Sequence, residues 1–239
     1  MRSQRATRLS RRLRPVVAAG LGLVLALVLA GCSEPTNSKP VGTAGTAPLT
    51  RFYTQKLIWT SCDKIFECAS LLVPLDYTNP TRRSIALAVI RKQATDPAHR
   101  IGSLITNPGG PGASGVEFVQ QGYSAQPDRP SHFGPQLRAD FDIVGFDPRG
   151  VGASAPITCL TDIQLDHYVS QDPAPTTQPE VAAVVAEDKA FDAGCEAHSA
   201  MLLLYVGTAN AARDLDILRA ALGDQKMYYL GASYGTYLG

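Results

Sequence analysis

The sequence is poor in the residues that most often reveal a function: 239 residues carry four histidines, three methionines and one tryptophan, and only 18% are charged. No C-x-x-C pair occurs, which argues against a zinc ribbon or a dithiol redox site. The absence of G-K-[ST] excludes a P-loop. No internal repeat or heptad seam is present, which excludes solenoids and coiled coils. Basic surplus is also missing from the body of the chain. The formal charge is +1, but six of the 22 basic residues are arginines within the first fourteen positions, leaving 16 basic against 21 acidic residues, a balance of −5. A mildly acidic body gives no reason to expect phosphate-backbone affinity, so no nucleic-acid partner is expected.

The longest apolar run, Val16 to Ala30, has fifteen residues and is short for a bilayer span. Behind its arginine-rich start and ahead of Leu29-Ala30-Gly31-Cys32, it has the order of a cleaved export signal. The L-A-G-C ending resembles a bacterial lipobox, so residues 1–31 are expected to be a signal peptide and Cys32 the lipidated first residue of the mature chain. Residues 32–50 hold Pro, Gly, Ser and Thr without an apolar period and read as a flexible tether of roughly 20 to 25 Å. The folded domain is expected over 51–239, held outside the cell at the membrane surface or secreted. Ser10-Arg11-Arg12 is also part of a twin-arginine pattern, and leaves the export route open. Four further cysteines, Cys62, Cys68, Cys159 and Cys195, suit two disulfides in an exported chain. Of the three pairings, Cys62 with Cys68 makes a local loop, and Cys159 with Cys195 staples an irregular insert.

Short apolar, β-rich runs at 84–91, 102–106, 141–146 and 227–230 read as strands, and their turn-bounded brevity suits a buried parallel sheet. A helix is expected from Thr208, with Thr208 as cap, Ala211, Leu215, Leu218 and Leu222 on one face and Gly223 as the stop. Residues 180–193 read as a surface helix and 160–179 as loop. Strands alternating with helices give an α/β fold with a mostly parallel sheet and flanking helices.

Three turns carry the chemistry. Gly231-Ala-Ser-Tyr-Gly235 is a G-x-S-x-G sequence directly after the strand at 227–230, which places Ser233 on a tight strand-to-helix turn at the carboxyl edge of the sheet. Asn107-Pro-Gly-Gly-Pro-Gly-Ala-Ser-Gly115 follows the strand at 102–106. Its glycines let backbone amides approach a ligand, and an acyl-transfer enzyme needs two such amides for its oxyanion. Tyr234 and either Gly109 or Gly110 are the candidates. The third turn, Asp147-Pro-Arg-Gly-Val-Gly-Ala-Ser154, follows the strand at 141–146, and Asp147 and Arg149 read as braces of the neighbouring turns.

Together NPGGPG, FDxxGFDPRGxGxS and GxSYGTxLG, with Trp59, Cys62, Cys68 and Val73-Pro-Leu-Asp-Tyr77 upstream, resemble the secreted tripeptidyl aminopeptidases of actinobacteria. These are relatives of the prolyl aminopeptidases in the α/β-hydrolase superfamily. The resemblance implies a serine exopeptidase that takes short peptides from free N-termini through an acyl-enzyme, without a cofactor or metal. It makes Ser233 the nucleophile and gives Gly110 and Tyr234 the oxyanion-hole amides. Two other readings share the motifs: an esterase for small carboxylic esters, and a surface lipoprotein that keeps the fold as a binding module.

Such enzymes order their triad as Ser, then Asp or Glu, then His. Here Tyr, Gly, Thr, Tyr, Leu and Gly follow Ser233, while His99, His132, His167 and His198 all precede it. His99 and His132 read as solvated loop residues. A serine without a base is a weak nucleophile. The chain is therefore expected to be the N-terminal portion of such an enzyme, truncated after the nucleophile elbow and inactive alone.

Overall fold

The computed structural model describes residues 47–124 and 131–239. The expected signal peptide, Cys32 and residues 32–46 lie outside the described residues. The described residues begin within the stretch read as tether, with a 3-10 turn at Ala47–Leu49 followed by α1 (Thr50–Tyr53). Leu49, Phe52 and Tyr53 pack into the main core, which is why the chain is ordered before position 51.

The chain then forms β1 (Thr60–Cys62), β2 (Phe66–Pro74), β3 (Ser84–Lys92), β4 (Gly102–Asn107), α2 (Gly115–Tyr123), α3 (Pro135–Asp140) and β5 (Phe141–Phe146). After these come α4 (Asp162–Val169), α5 (Gln178–Leu203), α6 (Thr208–Ala221), β6 (Tyr228–Gly231) and α7 (Tyr234–Leu238). The described strands make one mixed sheet in the order β1-β2-β3-β5-β4-β6. Strands β4, β5 and β6 are parallel, as the apolar runs suggested. β3 is the exception, being antiparallel to both β2 and β5. Residues 75–83 between β2 and β3 are too few for the crossover that parallel neighbours need, so these strands pair as a hairpin.

The apolar character of the strands follows from burial on both faces. Ile105 and Val144 point to one side, against Ala211, Leu215 and Leu218 of α6 and Leu238 of α7. Their neighbours Leu104 and Ile143 point to the other, against Val119 of α2, Leu137 of α3 and Phe133, which precedes α3. Alternate residues thus serve two cores. All six residues of β4 are buried, so no polar alternation was available to reveal its faces.

Helix α6 spans the expected region, and Leu222 and Gly223 end it, Gly223 in the left-handed conformation at φ +84°. Thr208 is not its cap. Gly207 occupies that position, and the Thr208 hydroxyl hydrogen-bonds the Tyr234 phenol at 2.6 Å. Helix α5 runs longer than expected, over 26 residues, and starts at a capping box between Thr177 and Glu180. Residues 162–169 are helix rather than loop. Thr161 and Gln164 form a capping box there, but α4 buries no residue, so the apolar period that marks a helix is absent. The disulfides are Cys62–Cys68, across the β1–β2 hairpin, and Cys159–Cys195, which ties the segment before α4 to α5. Among the described residues no helix is long and apolar enough to cross a membrane.

Candidate active site

Because β4, β5 and β6 are parallel, the turns that leave them emerge at one edge of the sheet. This is the edge where open α/β sheets bind ligands. The sequence separates these turns by up to 126 positions, and the sheet brings them together.

Ser233 sits between β6 and α7 with φ +51° and ψ −128°, a conformation that non-glycine side chains rarely adopt. Strain of this kind persists only where surrounding contacts impose it. The contacts are visible. A Cβ on Gly231 would lie 2.5 Å from the Gly235 carbonyl oxygen, and one on Gly235 would lie 2.4 Å from the Asn107 oxygen. The small residues of G-x-S-x-G are therefore set by close backbone approach rather than by flexibility. Tyr229 donates its hydroxyl to the Gly235 carbonyl at 2.8 Å, and burial pushes that phenol up to about 12. The Ser233 side chain is left exposed at the turn.

The glycine-rich turn after β4 packs directly on this elbow. A Cβ on Gly109 would fall 2.5 Å from the Ala232 oxygen and 2.9 Å from the Tyr234 nitrogen. The two candidate amides of this turn are not equivalent. Gly109 is buried, and its N–H donates to Asn107 Oδ1 at 2.9 Å, so it is not available to a ligand. Gly110 is exposed, and among the described residues nothing accepts its amide. The Tyr234 amide, at the first position of α7, likewise has no acceptor among them. Two free N–H groups, one on the residue after an exposed serine and one on the turn packed against its elbow, can stabilise an anionic oxygen formed by attack of the serine hydroxyl.

Asp147 braces the neighbouring turn, as expected, but Arg149 does not, and instead ties its own turn to α6 and to the ends of more distant segments. Asp147 accepts from Ser114 Oγ at 2.5 Å and from the Val116 amide at 3.2 Å, in the first turn and α2. Its other oxygen accepts the Ala153 amide at 3.0 Å, in its own turn. Arg149 is fully buried, and all five of its N–H groups are used. Nε and Nη2 grip Asp214 of α6 at 2.7 and 2.6 Å, and the rest reach the carbonyls of Pro74, Leu75 and Tyr205. Burial pushes the Asp214 carboxyl up, while Arg149 and the Tyr77 hydroxyl, 2.6 Å away, pull it down. The run Gly110 to Gly115 also fits the dinucleotide pattern G-x-G-x-x-G, which needs an acid on the following strand to hold a ribose. Asp147 stands at that place, but its oxygens are already occupied by Ser114, Val116 and Ala153.

A cleft of about 380 Å³ opens beside the first turn, lined by Pro108, Gly112, Ser114, Glu117 and Val151 among others. All four histidines are exposed, and none hydrogen-bonds Ser233. His99 pairs with Asp96, His132 stacks on Phe118, and His167 contacts Gln171 and Glu187. Asn107, Tyr77, Asp214 and Tyr229 were not singled out from the sequence. Only Asn107 and Tyr77 lay in recognisable motifs, and no local pattern marks the other two.

The arrangement of strand, strained serine turn and helix, with a glycine turn from the neighbouring strand packed on it, coincides with a family match. A family model described as alpha/beta hydrolase fold matches residues 102–239, which contain all three turns. The chain belongs to the α/β-hydrolase fold family. This hydrolase-fold chain is 40% identical to tripeptidyl aminopeptidase of Streptomyces lividans over 188 residues, covering 76% of it and 34% of that relative. It is 38% identical to serine protease Hip1 of Mycobacterium tuberculosis over 260 aligned residues, covering 100% of it and 45% of the relative. Carboxylesterase B of Mycobacterium tuberculosis is 38% identical over 209 residues, with 81% and 36% covered. The α/β-hydrolase chain thus spans less than half the length of these relatives.

Proposed function

We propose that this chain carries the nucleophile and oxyanion-binding surface of an exported serine hydrolase of the tripeptidyl or prolyl aminopeptidase type. Ser233 attacks the acyl carbon of a short peptide, and the amides of Gly110 and Tyr234 hold the oxygen of the tetrahedral intermediate. The observation that carries this is the Ser233 backbone, at φ +51° and ψ −128°, with those two amides left without an acceptor beside it. A plain structural turn has no need of a strained serine with unpaired donors around it. The similarity to an aminopeptidase and a serine protease supports peptide bonds as the target.

An esterase is the second reading, and the similarity to carboxylesterase B favours it. Both reactions pass through the same acyl-enzyme. Export is supported by the two disulfides, which form in oxidising compartments. Lipid attachment at Cys32 is proposed on the L-A-G-C sequence alone.

The test is covalent labelling by a fluorophosphonate probe in a protein that carries this chain together with the acid and histidine of a triad, with the Ser233→Ala variant alongside. Labelling of the wild type that vanishes in the variant supports the nucleophile, and equal labelling of both overturns it. Hydrolysis of a tripeptidyl p-nitroanilide with a free amine, but not of its N-acetylated form, separates the aminopeptidase from the esterase. An esterase prefers p-nitrophenyl esters and ignores the amine.

A further inference from the structure

We infer that Asn107 is the positioning residue of the oxyanion-binding turn, its side-chain oxygen holding the Gly109 amide so that the Gly110 amide faces the acyl oxygen; this rests on Ser233 being the nucleophile. Asn107 is the last residue of β4 and pairs in register with Gly231, the last residue of β6. It is 1% exposed. Its main-chain carbonyl accepts the amide of Ala232, the residue before the serine, at 3.0 Å. Its side-chain Oδ1 accepts the amide of Gly109 at 2.9 Å. A Cβ on Gly235 would lie 2.4 Å from the Asn107 carbonyl oxygen and 2.9 Å from Oδ1, so the start of α7 rests on both. One buried residue therefore fixes the elbow through its backbone and the glycine turn through its side chain.

The turn has few other constraints at the donor. Pro108 and Pro111 have their φ fixed by their rings, and between them stand two glycines at φ +97° and +108°. Two bonds hold the turn between these prolines: Asn107 Oδ1 fixes the Pro108–Gly109 peptide plane at 2.9 Å, and the Gly109 carbonyl, on the plane that carries the Gly110 N–H, accepts the Ala113 amide at the longer distance of 3.3 Å. A buried amide does not stay unpaired. Without Oδ1, Gly109 would turn to find another acceptor, and the Gly110 N–H, then held only through the long Gly109–Ala113 bond, would shift with it.

Two substitutions test this. Asn107→Leu keeps the volume and removes the acceptor. Asn107→Asp keeps the acceptor and puts a charge beside the developing oxyanion. In Asn107→Leu, the maximal rate of fluorophosphonate labelling at Ser233 should fall roughly 10- to 100-fold, with the half-saturating probe concentration little changed. In Asn107→Asp the labelling rate relative to wild type should be low at neutral pH and recover as acid neutralises the new carboxylate. A residue that merely stabilises the fold would give no such profile, and the profile decides the matter if Asn107→Leu does not fold. Amide hydrogen exchange adds a readout independent of labelling. Gly109 should exchange slowly and Gly110 fast in the wild type, with Gly109 losing protection in Asn107→Leu. Wild-type labelling by a folded Asn107→Leu variant, a flat relative profile in Asn107→Asp, or an unprotected Gly109 in the wild type would overturn the role of Asn107. In the triad-bearing protein, a wild type that does not label, or labels no better than Ser233→Ala, would overturn the nucleophile instead, and the exchange pattern would still report on the turn.

Discussion

Replacing Asp214 by Asn should be among the most damaging conservative changes in the chain. The carboxylate is 1% exposed and accepts three hydrogen bonds, two from Arg149 at 2.7 and 2.6 Å and one from Tyr77 at 2.6 Å. Asparagine offers one oxygen in place of two and turns an amide N–H toward groups that are themselves donors. The guanidinium stays buried, with no anion beside it. Breaking one side of a buried ion pair costs about 3–5 kcal/mol. For a domain of this size each kcal/mol lowers the melting temperature by roughly 2–4 °C, so a fall of about 6–20 °C is expected. Asp216, two residues along α6, is the control. It bonds Tyr53 and Arg219 but is 37% exposed, and its Asn variant should cost about 1 kcal/mol or less. The paired variant Arg149→Met with Asp214→Leu should recover only part of the loss, because the carbonyls of Pro74 and Leu75 lose the Arg149 donor and the Tyr77 hydroxyl loses its acceptor. Urea unfolding followed by circular dichroism measures all three. An Asp214→Asn variant no less stable than Asp216→Asn would refute the reasoning.

Gly235→Ala should abolish both the elbow and fluorophosphonate labelling, since its methyl group has no room beside the Asn107 carbonyl; unchanged labelling would show that the turn tolerates it. Replacing Cys159 and Cys195 together by Ser should cost about 3–4 kcal/mol in thermal or urea unfolding, against about 2 kcal/mol for the Cys62 and Cys68 pair, because the first closes the longer loop. Glu67 has its carboxyl held below the usual range, chiefly by its hydrogen bond to Arg91 at 2.7 Å. Its contribution is therefore present above the unfolded value of about 4.3 and is lost as pH falls through the lower folded value. Arg91→Ala should flatten that acid limb by a few tenths of a kcal/mol, which unfolding curves at pH 5 and pH 3 would detect.

The parallel half of the fold was legible because its strands are short apolar runs bounded by glycine and proline, and the α6 face at Ala211, Leu215 and Leu218 repeats at helical spacing. The β2 strand was missed, since Phe66–Pro74 mixes half-buried Glu67 and Cys68 with exposed Leu72 and keeps no clean alternation. Helix α4 was missed for a related reason, having caps but no buried face. At the site, G-x-S-x-G and the glycine turn were plain, whereas the choice between Gly109 and Gly110 was not. That choice depends on which amide a neighbouring side chain captures.

By itself the sequence determined the identity of the three turns, the residue types each must contain and the order in which strands and helices follow one another. Those are local matters, fixed by glycine, proline and apolar periodicity within a few positions. The tertiary structure decided that the turns share one edge, that Gly110 rather than Gly109 is the free donor, and that Arg149 finds its anion on a helix 65 positions away. Such contacts form only after distant segments have packed. No short stretch of sequence holds the information that two of its atoms will lie within hydrogen-bonding distance of a third from elsewhere in the chain.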